Sequence, residues 1–233
     1  MIYYPKNWKK IGAKITTADV EERLVEVLKE IYCINLSFSG GLDSSLLLYY
    51  MCQIFGRVDL FTMGISEDHP DVMFAKSVIE QYKRKFPWVG FNHYIHYPQG
   101  EEIKDTIYGL FYKFVRENTD RIIAGDCIDE YMCGYYAHME NPTEEIYYDR
   151  IRRLQADHLI PLNESSGNVE VCLPYADDKI IGMLSQIPLK DKVDSETRKK
   201  VMIEMAKGKV PEDVILRRKY GFCDALKIKG VIK

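Results

Sequence analysis

The sequence predicts an α/β protein in which a parallel sheet is followed by a mainly helical C-terminal part. Three observations carry that expectation. Short β-like runs alternate with helical stretches over about the first 140 residues. A glycine–serine loop, SFSGGLDSS (37–45), stands between the first of those runs and an apolar helix. From about residue 143 the strand signals stop and helical spacing takes over. Strands that alternate with helices form parallel sheets covered on both faces.

Each element has its own signal. In DVEERLVEVLKEI (19–31), Val20, Leu24, Val27, Leu28 and Ile31 recur at helical spacing, and Asp19 with Glu22 offers a capping box. CINLSF (33–38) reads as a buried strand and SSLLLYYMCQIF (44–55) as a mostly apolar helix. VDLFTM (58–63) is the second strand, and PDVMFAKSVIEQYKRKF (70–86) is a helix with proline in its first turn. FNHYIHY (91–97) alternates polar and apolar residues as a third strand, so His93 and His96 face opposite sides. A helix over 100–118, a fourth strand RIIAG (121–125) and a helix beginning DEYMCGYYAHM (129–139) follow. Then 144–160, 177–187, 195–208 and 211–219 all read as helical, with NESSGN (163–168) as the best loop. The expected organisation is an N-terminal extension (1–18), an α/β domain (19–140) and a helical lobe (141–233). There is no internal repeat and no low-complexity linker.

Composition excludes several classes. At 46% hydrophobic and 29% charged, 233 residues suffice for one sizeable core. A net charge of −3 gives no general pull toward nucleic acid or anionic membrane. MIYYPKNWKK lacks the apolar run of a signal peptide, and no stretch approaches the roughly 20 apolar residues of a membrane span. The six cysteines are scattered without a CxxC, as expected of reduced, partly buried thiols in a cytoplasmic protein.

The glycine loop is the most informative stretch. Ligands of open α/β sheets bind beyond the carboxyl ends of the strands. Gly40 and Gly41 allow a tight turn and close approach of a ligand to the backbone. Successive N–H groups and the following helix N-terminus make an anion nest, to which Ser39, Ser44 and Ser45 add hydroxyls. The natural guest is a phosphate or pyrophosphate. Asp43 would repel one unless it holds a bridging divalent cation. The loop is neither a Walker A motif nor a G-x-G-x-x-G turn.

S-G-G-L-D-S-S resembles the pyrophosphate (PP) loop of the N-type ATP pyrophosphatases, the group with an adenine nucleotide α-hydrolase-like fold. Further motifs resemble the synthetase domain of asparagine synthetases. FTMGISEDHPDVMFAKSVIE matches the segment that follows the second strand in that family. GDCIDEYMCGY (125–135) resembles G-E-G-x-D-E-x-x-x-G-Y. RIRRLQADHL, GNVEVCLPYAD and VPEDVILRRKYGF resemble three motifs of the helical lobe, so the similarity runs from about residue 20 to 225.

The resemblance implies ATP and Mg²⁺, and an adenylate that an amine displaces. It assigns nucleotide contacts to Leu36, Ser37, Ser39, Gly40, Gly41, Asp43, Ser44, Ser45, Met63, Gly64 and Gly125. Asp129 is the second Mg²⁺ carboxylate beside Asp43. Lys219 stabilises developing charge, and Asp126 and Glu130 complete the catalytic set. The partners implied are a small-molecule carboxylate and ammonia or another amine. A separate glutaminase and a homodimer are left open.

This sequence departs from the pattern in three places. It begins Met-Ile, with about thirty residues before the first strand, so a standalone synthetase domain without its own glutaminase is expected. Asp126 and Cys127 replace Glu and Gly, which points to an altered substrate pocket. Cys172 replaces an arginine, so a phosphate- or carboxylate-pairing cation is missing there unless Arg152 or Arg153 supplies it. Two rival readings stand beside the ligase. One is a sulfur transferase acting on tRNA through Cys127, against which the acidic neighbours Asp126, Asp129 and Glu130 argue. The other is a non-catalytic nucleotide-binding module.

Overall fold

A computed structural model describes residues 14–99 and 106–217. The N-terminal residues, the first part of the expected helix over 100–118, Cys223 and Lys219 lie outside the described residues. The chain divides into two compact units. One comprises Cys33–Ala124, Pro161–Cys172 and the residues from Gly208; the other runs up to Tyr32 and adds Gly125–Ile160 and Leu173–Lys207.

The first unit is built on an all-parallel sheet of five strands. They are β1 (Asn35–Ser37), β2 (Arg57–Met63), β3 (Gly90–His96), β4 (Arg121–Ile123) and β5 (Glu170–Cys172), in the order β3-β2-β1-β4-β5. Successive strands therefore move one way from β1 to β3 and the other way from β4 to β5. The direction reverses between β1 and β4, where Leu36 pairs with Ile123. Such a switch point splays the connections apart and leaves a crevice at the strand ends. The expected parallel sheet is present.

Helices α2 (Leu42–Ile54), α3 (Pro70–Lys85) and α4 (Ile107–Arg116) connect the strands, as parallel pairing requires. Helix α2 is apolar on nearly every side and buries Leu46, Leu47, Leu48 and Met51. Proline opens α3 as expected, with His69 Nδ1 as the cap acceptor. His93 turns to Thr62 of β2, while His96 stacks on Phe114 of α4.

Strand β5 corrects the expectation that strand signals end near residue 143. Its three residues are too short to show a period, and flanking helical patterns mask them. The run 163–168 is likewise not a loop, because α8 (Ile160–Ser166) ends only at Gly167. The last helix shortens to α12 (Glu212–Ile215).

The second unit is helical: α1 (Thr17–Ile31), α5 (Ile128–Tyr131), α6 (Tyr136–Glu140), α7 (Glu144–Leu154), α9 (Asp178–Gln186), α10 (Leu189–Lys192) and α11 (Lys200–Ala206). Helix α1 starts earlier than expected. Thr16 is its cap and pairs reciprocally with Asp19, which displaces the Asp19–Glu22 box. Its buried face carries Val20, Leu24, Val27 and Leu28. Arg23 on its flank binds Asp177, the cap of α9, at 2.8 Å. The single helix expected after residue 129 is broken in two, because Cys133 is left-handed (φ 58°) and Gly134 follows it.

Lys192 is an exception in this core. It is 1% exposed, and its Nζ donates to Tyr147 Oη at 2.6 Å while lying over that ring. Burial without a carboxylate pushes its pKa down to about 7. Below about pH 7 the fold holds a buried charge. Between about 7 and 10.5 the unfolded chain binds the extra proton, so stability rises with pH across that window. Lys192→Met should therefore stabilise the protein by about 1–3 kcal/mol at low pH. The gain should shrink toward alkaline pH, as urea melts at about pH 6 and 9 would read. A variant that is less stable at both pH values contradicts this account.

Candidate active site

Two clusters hold the residues singled out from the sequence, one in each unit. In the sheet unit, β1 delivers the glycine loop to the switch point. The exit from β1 is pinned first: Phe38 N–H donates to Phe61 C=O at 2.8 Å, and Phe38 C=O accepts from Thr62 Oγ at 2.5 Å. Since that hydroxyl donates to Phe38, it accepts from His93 Nε2 at 2.8 Å. Burial lowers the His93 pKa to about 4, with Lys76 and Lys83 adding to the effect, so the ring is neutral at physiological pH.

The turn itself needs glycine. Gly40 has φ +65°, and a Cβ there would overlap the backbone of Phe74 and Ala75, with Phe74 C at 2.6 Å. Gly41 is the cap of α2 at φ −81° and donates its N–H to Ser39 Oγ at 3.3 Å. Ser44 Oγ bonds back to Gly41 C=O at 3.3 Å and lies 3.5 Å from Ser39 Oγ. Ser45 is fully buried, and its hydroxyl has no hydrogen-bond partner among the described residues. Asp43 sits in the first turn of α2.

A polyphosphate fits this set. The loop leads into a thirteen-residue helix whose first N–H groups have no intrahelical acceptor, the hydroxyls of Ser39 and Ser44 lie together at its start, and one buried hydroxyl is unspent. Asp43 supplies the hard oxygen that a divalent cation requires.

Leu36 and Ser37 are on β1, and Met63 with Gly64 ends β2 beside it. Met63 is buried, and Gly64 N–H donates to His96 C=O. Sequence reasoning missed Arg217. Its side chain, 6% exposed, donates to Ser39 C=O at 3.0 Å, ion-pairs with Asp71 of α3 and stacks over Phe74. It stands in the stretch VPEDVILRRKYGF, two places before Lys219.

In the helical unit, Gly125 leads into a compact charged cluster. Asp126 Oδ1 lies 2.6 Å from His158 Nε2. Glu130 is buried and accepts from Tyr135 Oη at 2.5 Å. Burial raises the Glu130 pKa, against the lowering effect of that bond. Asp129 pairs with Lys199 Nζ at 2.6 Å, a partner to which no sequence motif pointed. Gly134 makes room for that pair, since a Cβ there would overlap both side chains. Arg198 beside Lys199 donates to Gly134 C=O and lies 3.8 Å above the Tyr136 ring.

Cys127 is left-handed (φ 75°) and 2% exposed. Its thiol is pushed well up by burial first, then by Asp126 and Glu130. Such a thiol is a poor nucleophile, which weighs against sulfur transfer. The cation beside Cys172 is not Arg152 or Arg153. Both are exposed, and Arg153 pairs with Asp149 at 3.2 Å. Arg121 of β4 stands there instead, ion-paired with Glu170 at 3.1 Å, because the β4–β5 register sets Arg121 and Glu170 side by side.

A profile of the asparagine synthase family matches residues 33–168 and 163–231, nearly the whole chain. A protein of Acanthamoeba polyphaga mimivirus, named a probable glutamine-hydrolysing asparagine synthetase, is 27% identical over 241 aligned positions. The alignment covers 88% of this chain and 42% of that relative, so the chain spans about two-fifths of the relative's length. No described helix is long and apolar enough to cross a membrane. With the glycine loop at the switch point of a parallel sheet and the family's motifs along its length, the chain belongs to the asparagine synthase family.

Proposed function

We propose that this protein is an ATP-dependent, amide-forming ligase. The observation that carries the reading is the glycine loop, a phosphate cradle at the sheet's switch point, in a chain of this family. ATP is a substrate, held by Ser39, Gly40, Gly41, Ser44 and Ser45 at its phosphates and by Met63 and Gly64 at its adenosine end.

An oxygen of the substrate carboxylate bonds to the α-phosphorus, and the bond to pyrophosphate breaks. The amine nitrogen then bonds to the acyl carbon, the bond to AMP breaks, and one proton leaves the nitrogen. Asp43 and Asp129 are the proposed Mg²⁺ ligands, and the ion would neutralise charge on the phosphates. Lys219 would stabilise negative charge in the acyl transfer. Asp126 and Glu130 belong to the acyl- and amine-handling side. The amine is ammonia or a substrate amino group.

The decisive assay follows pyrophosphate from ATP and Mg²⁺ over a panel of carboxylates, with and without ammonia. Carboxylate-dependent pyrophosphate and AMP are expected, reduced at least about 100-fold in Asp43→Ala and Lys219→Ala. ADP and phosphate as products would overturn the mechanism.

The loop makes a second expectation. Gly40→Ala meets backbone on one side and a left-handed φ on the other, so ATP affinity should fall at least about tenfold, with about 2 kcal/mol of stability lost. Gly41→Ala meets only Ser39 Oγ at 3.2 Å and should cost much less. Calorimetric ATP titration and thermal melts of both variants would check the contrast.

A further inference from the structure

The two edges of the parallel sheet are finished differently. An edge strand carries unpaired N–H and C=O groups, which proteins protect with short strands, charged side chains, prolines or bulges. Strand β5 follows that rule, with three residues that begin at Glu170. Strand β3 does not. It runs for seven residues, GFNHYIH, without lysine, arginine, aspartate, glutamate or proline. It pairs with β2 in unbroken register, from Gly90 opposite Arg57 to His96 opposite Met63, so no bulge interrupts it.

The register says which groups face outward. Gly90 N–H donates to Gly56 C=O, and His96 C=O accepts from Gly64 N–H. The N–H and C=O of one strand residue point to the same side, and the side alternates along the chain. Gly90, Asn92, Tyr94 and His96 therefore turn their backbone groups to β2, and Phe91, His93 and Ile95 turn theirs away. Among the described residues no strand lies on that side. No residue of β3 is buried, whereas residues 58–63 of β2 all are.

One face beside this edge is basic, in a chain whose net charge is −3. His93 bonds Thr62 and lies in the field of Lys76 and Lys83 of α3, while Tyr94 stacks on Phe61 and His96 on Phe114 of α4. Helix α3 carries Lys76, Lys83, Arg84 and Lys85 against one exposed carboxylate, Glu80, which pairs with Lys83 at 2.7 Å.

We propose that the outer edge of β3 is a docking site for an extended acidic peptide segment of a partner protein, which adds to the sheet as a further strand. The outward groups of Phe91, His93 and Ile95 bond its backbone, and its acidic side chains on one face meet the cations of α3. Main-chain bonds supply the affinity and charge supplies the choice of partner. Two copies of β3 paired about a twofold axis would instead set their α3 helices side by side on one face, cation against cation. A nucleic acid has no peptide groups with which to continue the ladder. The edge lies two strands from β1 and its glycine loop, so its occupancy is independent of the ligase reading.

The probe is a fluorescent peptide of about eight residues that alternates glutamate with valine, compared with a lysine–valine counterpart. In anisotropy titrations of the full chain the glutamate peptide should bind at least about tenfold tighter, with the difference shrinking as salt rises from about 0.05 to 0.5 M. N-methylation of its amides removes the ladder donors without altering the protein, and should weaken it at least about tenfold. Ile95→Pro removes an outward N–H and leaves the β2 ladder whole, so it should weaken binding by a similar factor with little change in the thermal melt. Lys76→Glu combined with Lys83→Glu should erase the preference for glutamate. No saturable binding, equal binding of the two peptides, or indifference to N-methylation would each overturn the proposal. A dimer that Ile95→Pro dissolves would give the edge to a second copy, and a single-stranded oligonucleotide that outcompetes the glutamate peptide would give the basic face to nucleic acid; either result overturns it too.

Discussion

The candidate site depends on the pinned exit of β1. That strand has only three residues, yet it lies at the centre of the sheet with a neighbour on each side. Immediately beyond it the backbone is held from several directions at once. Phe38 is bonded to β2 through Phe61 and Thr62, Ser39 C=O accepts from Arg217, and Gly40 packs against the start of α3. A loop fixed this way keeps its shape without relying on a ligand to order it. Preorganisation of that sort lowers the ordering cost of binding. The neutral His93 behind Thr62 completes the brace, so acidification toward its pKa of about 4 would destabilise the sheet unit.

Much of this architecture was legible in the sequence because its signals are local. The alternation of VDLFTM and FNHYIHY with helical runs announced a parallel sheet, and Gly40, Gly41 and Asp43 announced a phosphate loop. What escaped depends on partners distant along the chain. Strand β5 is only Glu170–Cys172, and nothing in three residues announces that β4 will pair with them. Arg217 looks like any cation in R-R-K until its bonds to Ser39 and Asp71, 178 and 146 positions away, are seen. His158 carried no ligand-like spacing, and only the fold brings it across 32 residues to Asp126. The capping of α1 by Thr16 was a nearer miss, with two local boxes competing and the upstream one prevailing.

The helical unit spends its polar residues in pairs. Asp129 with Lys199, Asp126 with His158 and Glu130 with Tyr135 place each acidic side chain against its own donor. Unpaired, so many carboxylates in so small a volume would repel one another and raise each other's pKa values. The departures from the family pattern belong to this arrangement. Asp126 meets the imidazole of His158, and Cys127 occupies the adjacent left-handed position that a glycine would fill at less cost. Cys172 likewise has the Arg121 side chain of β4 beside it.

The buried thiols have a practical corollary. Cys33, Cys52, Cys127, Cys133 and Cys172 are all free and buried, and burial raises every one of their pKa values. None of the five is poised to react with an alkylating reagent while the fold is closed. They are distributed between the two units, with Cys52 on α2 under the sheet and Cys133 between α5 and α6. Each is thus a built-in clock for the opening of its own neighbourhood. Their labelling rates, read peptide by peptide, would distinguish a molecule that breathes as one body from one whose halves open on separate schedules.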